Sequence, residues 1–303
     1  MVAVLKDDME TWVDVDWSMF DPWRIQPVRH HVQHHPLMQM DALMGLAQRL
    51  GAIGSVRTHS DSAKAGTPFN SAPDLFPNGA SPVETLRNLA KAQAWMSLLN
   101  IQKDPLYRTL VRDVLDEMQP EIGIRDPGMS YRGGWVFVTS PRAVTPYHFD
   151  TEHGFILQVQ GRKRVYVWPH DDLEVASEHA RDLFHLNHER YLLRWRDAFR
   201  ERAHVFDLQP GQGAYMPSTS PHMVENGDGP SVTISITYYT DSTREKARLH
   251  AAHGALRKLG LRPPPVGQPG WTDALGSLLL KVRPEQRDKA AHAFDEYAAE
   301  TVA

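Results

Sequence analysis

Thr145-Pro146-Tyr147-His148-Phe149-Asp150 is the stretch on which the fold turns. In extended backbone, side chains two apart point to the same face. A single strand end therefore delivers the imidazole of His148 and the carboxylate of Asp150 to one place. Outward from there, Phe155 to Gln160 and Lys163 to Trp168 are two β-rich runs around Gly161, which predicts a hairpin. Trp135 to Thr139 upstream, and Ala214 to Met216 and Val232 to Tyr239 downstream, read as further strands, with Pro210-Gly211-Gln212-Gly213 as a turn. Short strands flanked by helices predict a mainly β fold, a barrel or jelly roll with a helical surround.

His222 lies at the far end of this β region. A second imidazole brought from a distant strand completes three ligands on one side of an ion. Two histidines and one carboxylate, with the opposite positions open, is the donor set of non-haem Fe(II) oxygenases. The chain has 16 His and 37 acidic residues, so a His-x-Asp spacing alone decides little. A looser pairing, Asn187-His188-Glu189, sits among polar residues with no strand around it. A second feature supports the reading. Lys163, Val165 and Val167 share one strand face, apolar except for the ammonium. A buried ammonium needs a partner, and a dicarboxylate co-substrate supplies one; at a strand end it would instead snorkel to water.

Order, spacing and texture over residues 130–240 together resemble the JmjC and cupin-like branch of the Fe(II)/2-oxoglutarate-dependent oxygenases. The resemblance is carried by Thr145 to Asp150, by Gln158-Val159-Gln160-Gly161-Arg162-Lys163 through Trp168-Pro169, and by Pro210-Gly211 through Pro217 to His222. It implies a double-stranded β-helix (jelly-roll, cupin-like) core and an Fe(II)/2-oxoglutarate-dependent dioxygenase that hydroxylates a side chain of a protein or peptide. The alternatives are a small-molecule metabolite as substrate, or a non-catalytic cupin-like binding or regulatory protein. The resemblance further implies that His148, Asp150 and His222 hold iron and act as the catalytic centre. By the same resemblance Lys163 binds the far carboxylate of 2-oxoglutarate with help from Thr145, and Thr237 is a further polar contact, with Asn100 a weaker candidate. Dioxygen is the co-reactant. The chain has Gln212 where the family often has an acid, and Ser220-Pro221 where it often has an aromatic residue before the second histidine.

The remaining sequence sets the frame. Of 303 residues, 41% are hydrophobic and 23% charged, the net charge is −4, and cysteine is absent. The sequence pI is about 6.5. Thiolate sites and disulfides are excluded, and a dedicated nucleic-acid binder is not expected. No membrane-spanning run or signal peptide is expected, which with the missing cysteine fits a cytoplasmic protein. Residues 1–130 are expected as helices and strands packed on the barrel, 131–240 as the core, and 241–303 as a helical extension; 1–240 is expected to be continuous. Within the first part, Ile25 to Val32 reads as a strand, Leu37 to Leu50 as a helix, 52–80 as irregular, and Ser81-Pro82-Val83-Glu84 as a capping box. Trp95 to Ile101 reads as a strand and Pro105 to Met118 as a helix.

Three other features have two readings each. His30, His31, His34 and His35 would pair at metal spacing on a helix, but Pro36 and the strand-like run before them favour a strand entering a helix. His179, His185 and His188, in an insertion over 171–206, either line a substrate entrance or are solvated, the second being the expectation. The stripe Leu275, Leu278, Leu279 and Val282 either forms a homodimer through C-terminal helices or packs on its own barrel.

Overall fold

A computed structural model describes residues 11–268. Its strands, in chain order, are β1 (Val13–Asp14), β2 (Gln26–His30), β3 (Val56–Ser60), β4 (Ala94–Leu98), β5 (Ser130–Thr139), β6 (Val144–His148), β7 (His153–Gln160), β8 (Lys163–Val167), β9 (His204–Leu208), β10 (Gln212–Met216), β11 (His222–Asn226) and β12 (Ser231–Tyr239). The helices are α1 (Met40–Ala52), α2 (Ala72–Leu75), α3 (Pro82–Arg87), α4 (Pro105–Arg125), α5 (Glu178–Asn187) and α6 (Asp241–Lys258). Eight strands form one sheet in the order β1-β2-β10-β7-β12-β5-β4-β3, and four form a second in the order β6-β11-β8-β9. Every pairing is antiparallel. The jelly-roll expectation holds.

Alternation along β12 shows how sequence makes the layers. Val232, Ile234, Ile236 and Tyr238 join a large apolar cluster with Leu110, Val111 and Val114 of α4 and Leu43 and Leu46 of α1. The intervening Ser231, Thr233, Ser235, Thr237 and Tyr239 face the other way. On β7 and β10 the side facing the small sheet is apolar. Ile156, Ala214 and Met216 pack with Val165, Val167 and Val224. The large sheet is thus covered on both faces, and the space between the sheets is dry at one part and polar at another.

The hairpin expected at Gly161 does not form. β7 belongs to the large sheet and β8 to the small one, so Gly161 is where the chain crosses between sheets. Its φ is +76°, and a side chain there would collide with the Pro230 carbonyl, so glycine is required. Two neighbouring strand runs look alike whether they pair with each other or with distant partners, which is why sequence pattern read this wrongly.

The region 52–80 is not wholly irregular. Val-Arg-Thr-His-Ser at 56–60 forms β3, whose single apolar residue gives no alternation to detect. Its pairing with β4 recruits it to the sheet edge. The capping box at Ser81 forms as read, with Glu84 N–H donating to Ser81 Oγ at 3.3 Å and Ser81 N–H to Glu84 Oε2 at 2.9 Å. α4 runs seven residues beyond the expected Met118, through Pro120, because Ile122 is fully buried in the core. The lost proline hydrogen bond is outweighed there by packing. Strands β1 to β4 all lie in the large sheet, so no structural seam falls at residue 130. The apolar stripe at Leu275 to Val282 lies outside the described residues. Among those described, no helix is long and apolar enough to cross a membrane.

Candidate metal centre and its cavity

The register of the small sheet assembles the site. His148, the last residue of β6, is the Cα partner of His222, the first residue of β11. The two imidazoles stand side by side, with ring centroids 4.2 Å apart. Asp150 follows two residues past the strand end, and its Oδ2 lies 3.6 Å from His148 Nε2 and 3.7 Å from His222 Nε2. The three donor atoms fall within 4.8 Å of one another. The loop before His222 is pinned to the strand end it must meet. Thr219 N–H donates to the Asp150 carbonyl at 2.8 Å, and Ser218 Oγ–H to that of Thr151 at 2.6 Å. Ser220-Pro221 therefore costs the site no geometry.

Tautomers follow from the hydrogen bonds. His148 Nδ1 lies 2.8 Å from the Pro146 carbonyl and His222 Nδ1 3.1 Å from the Ser220 carbonyl. A carbonyl only accepts, so each Nδ1 carries a proton and Nε2 is the atom each ring can give to a metal. Burial, and next the His148 ring, push His222 down to about 4, which keeps it neutral. Burial works to raise the Asp150 carboxyl, but His148, His222 and Arg190 together hold it well below the usual carboxylate range. Two imidazoles and an ionised carboxylate are a donor set that a divalent ion of the Fe(II) type takes when no thiolate is present.

One residue beside these ligands escaped the sequence reading. Arg190, in the 171–206 segment, donates to the Phe149 carbonyl (3.2 Å from Nη2), to Asp150 Oδ1 (3.4 Å) and to Asn70 Oδ1 (2.8 Å). It engages one Asp150 oxygen and leaves Oδ2 facing the two imidazoles. Phe69 stacks on His148 at 3.8 Å between centroids, and Arg190 lies over Phe69 as well as Phe184. Nothing in the sequence around Arg190 marks it; its contacts span 40 and 120 residues.

These residues wall a cavity of about 310 Å³, which also includes Lys163, Thr145, Asn100, Glu152, Arg57, Ser97, Tyr131 and His188. Lys163 is 5% exposed, no carboxylate pairs with it among the described residues, and burial pushes its ammonium down to about 7. It is buried, not snorkelling. Thr145 Oγ1 accepts from the Trp95 indole N–H at 2.8 Å, so its own proton is free for another acceptor. Burial and the Asp150 charge raise Glu152 to about 7.

Thr237 is placed differently. Ser235 and Tyr239 on its strand line the cavity, whereas Thr237 is not part of the wall; its Oγ1 is buried without a hydrogen-bond partner. Asn100 does line the wall, in the left-handed region at φ +52°, and its Oδ1 accepts from Tyr131 Oη at 3.1 Å.

Of the histidines expected to be solvated, His188 lines the cavity and His185 stacks on His250 of α6, centroids 5.1 Å apart. The His30 to His35 cluster does not gather. His30 is buried inside β2, and His35 Nδ1 caps the following turn by accepting from Leu37 N–H at 3.1 Å.

Fold and site thus define a jelly roll whose two-histidine, one-carboxylate group, spaced to hold a metal ion, borders a cavity with an unpaired lysine. The chain belongs to the cupin-like domain family. The family model described as Cupin-like domain matches residues 83–245, more than half of the sequence. HSPB1-associated protein 1 homolog of Danio rerio is 32% identical over 123 residues, 38% of this chain and 27% of that protein. HSPB1-associated protein 1 of Bos taurus is 31% identical over 123 residues, 38% and 25% respectively. The chain spans about a quarter of the length of the curated relatives it matches. Among solved structures, YcfD, a ribosomal oxygenase from Escherichia coli, aligns with a TM-score of 0.47 at 16% identity, covering 94% of this chain and 72% of that one. The same protein in complex with cobalt and 2-oxoglutarate gives 0.46 at 18% identity, covering 95% and 72%.

Proposed function

We propose that this chain is an Fe(II)- and 2-oxoglutarate-dependent oxygenase that hydroxylates a side chain of a protein or peptide. One observation carries the reading: a three-donor N,N,O centre shares a cavity with a buried ammonium that no carboxylate among the described residues partners. The first is what an open-faced iron site requires. The second costs free energy in the empty protein and is compensated when a diacid enters. A barrel that merely binds a neutral ligand needs neither. A protein substrate accords with the name of the HSPB1-associated relatives, which describes association with another protein.

His148, His222 and Asp150 Oδ2 would hold the iron, and Arg190 would keep Asp150 turned toward it. Lys163 would pair with the far carboxylate of 2-oxoglutarate, and the Thr145 hydroxyl, oriented by Trp95, would donate to the same group. Thr237 stays in the proposed set for its buried, unpartnered hydroxyl on the cavity-facing side of β12. Iron, when bound, supplies the oxidising chemistry by which 2-oxoglutarate and dioxygen yield succinate, carbon dioxide and one hydroxyl on a substrate C–H bond. Phe69 and Phe184 would keep bulk water from the reacting face.

Fe(II)-dependent conversion of 2-oxoglutarate to succinate tests the reading. A peptide library and a metabolite pool, each scanned for gain of one oxygen atom, then separate the substrate classes. Absence of succinate with Fe(II), 2-oxoglutarate and both pools present would overturn the enzyme reading.

A further inference from the structure

The cavity wall holds more positive charge than its metal and co-substrate account for. It presents three cationic side chains, Lys163, Arg57 and Arg190, and two carboxylates, Asp150 and Glu152. A divalent ion and a dianionic co-substrate cancel each other, so one positive charge is left over. Most of these groups are already engaged. Arg190 is tied to Phe149, Asp150 and Asn70, Glu152 Oε2 accepts from Thr151 Oγ1 at 3.1 Å, and Lys163 is assigned to the diacid. Arg57 is different. Its Nη2 donates to the Phe69 carbonyl and its guanidinium lies 4.2 Å over the Phe69 ring, but it has no ion pair among the described residues. Its Nε is buried without a hydrogen-bond partner.

A second donor beside it is equally uncommitted. Ser97 on β4 is the register partner of Arg57 on β3 and lines the same cavity. It is 1% exposed, and its Oγ also has no partner. A buried polar group without a partner is costly, and two on adjacent strands facing one cavity form a receptor lacking its acceptor. Both offer protons, and one carries the surplus charge. Phe69, which anchors Arg57, stacks on the metal ligand His148, so an acceptor held here sits one aromatic ring from the metal centre.

We infer that Arg57, with Ser97, binds a carboxylate of the substrate and makes this enzyme selective for a carboxylate-bearing target, an acidic residue of a peptide or a free acid. Guanidinium suits this because its planar donors match a carboxylate edge. The inference rests on the oxygenase reading, and its test separates the two. The full chain is loaded with Zn(II) and 2-oxoglutarate, which bind without turnover. Binding of acetyl-Ala-Glu-Ala-amide, its Gln and Lys counterparts, N-acetylglycine and N-acetylglycinamide is followed by ligand-observed NMR.

The expected result is that an acidic probe binds at least about tenfold tighter than its amide counterpart, roughly the discrimination of one charge-assisted hydrogen bond. Whether tripeptide or small acid is the better ligand identifies the source of the carboxylate. Arg57→Gln should abolish the preference, Arg57→Lys should keep part of it, and both should bind 2-oxoglutarate and melt like the parent chain. Equal binding of the amide or lysine probe would overturn the inference alone. So would loss of 2-oxoglutarate affinity in Arg57→Gln, which would give Arg57 to the co-substrate. Failure of the parent chain to bind 2-oxoglutarate in a metal-dependent way would overturn the oxygenase reading itself.

Discussion

Among the described residues, two groups of histidine and carboxylate lie close enough to hold a metal ion, and they differ in what already satisfies them. In the second, between α5 and α6, Asp182 Oδ1 takes His250 Nδ1–H at 2.8 Å and its Oδ2 takes Arg257 Nε–H at 2.6 Å. Both carboxylate oxygens are used, and the histidine nitrogen that points at them carries a proton. In the first, His148 and His222 turn Nδ1–H to backbone carbonyls, and their Nε2 atoms converge with Asp150 Oδ2. Proximity of donors is common to both. In the first, the ring protons are spent on backbone carbonyls and a cavity adjoins the donor atoms, and on this contrast rests the proposal that it is the metal centre.

The sharpest break of that contrast is Asp150→Ala. It should abolish metal binding and succinate formation together, read by calorimetric titration and by product assay; retained turnover would remove Asp150 from the centre. Lys163→Met comes next. Losing the charge partner of a buried diacid should weaken 2-oxoglutarate by about 10²–10³-fold, from the roughly 3–5 kcal/mol cost of breaking a buried pair. The same variant should raise the melting temperature of the empty protein. Its folded ammonium titrates near 7, below the value of an unfolded lysine. The unfolded chain therefore binds the extra proton, and the empty parent should gain stability as pH rises from about 7 to 10. Lys163→Met should lose that slope; an unchanged slope would mean the lysine is not buried unpaired.

Arg190→Met should weaken metal affinity by about 10–100-fold, the usual effect of removing a group that orients a ligand. Arg190→Lys should restore part of it, because a cation near Asp150 Oδ1 returns. Asp182→Ala should have the smallest effect on the metal, with affinity unchanged. Its cost should appear in stability, about 3–5 kcal/mol by denaturant titration, because Arg257 is left without its buried partner. A change in metal affinity there would erase the distinction between the two groups.

The fold was legible where a strand or helix carries its own period. β12, β7 and the face of α4 show alternation or a stripe that depends only on what each side meets. It was not legible for β3 and β9, at Gly161, or at the end of α4. β3 has one apolar residue, β9 lies inside a polar segment, and β7 and β8 pair with strands distant in the sequence rather than with each other. The same division runs through the site. His148 and Asp150 stand two apart and Lys163 shares a face with valines, so spacing reaches these three, whereas Thr145 follows from the family resemblance alone. Arg190, Arg57 and Ser97 come from three other parts of the chain.

Sequence by itself determined the donor types and the direction of the first two, because a strand alternates its side chains whatever it pairs with, and the lack of cysteine left only N and O ligands. It also determined that an ammonium shares a face with valines. Tertiary structure decided that His222 stands opposite His148, because antiparallel register is a property of two strands and not of either one. It decided as well which carboxylate stays unspent and which arginine stays unpaired, since those depend on neighbours that only folding brings within hydrogen-bond distance.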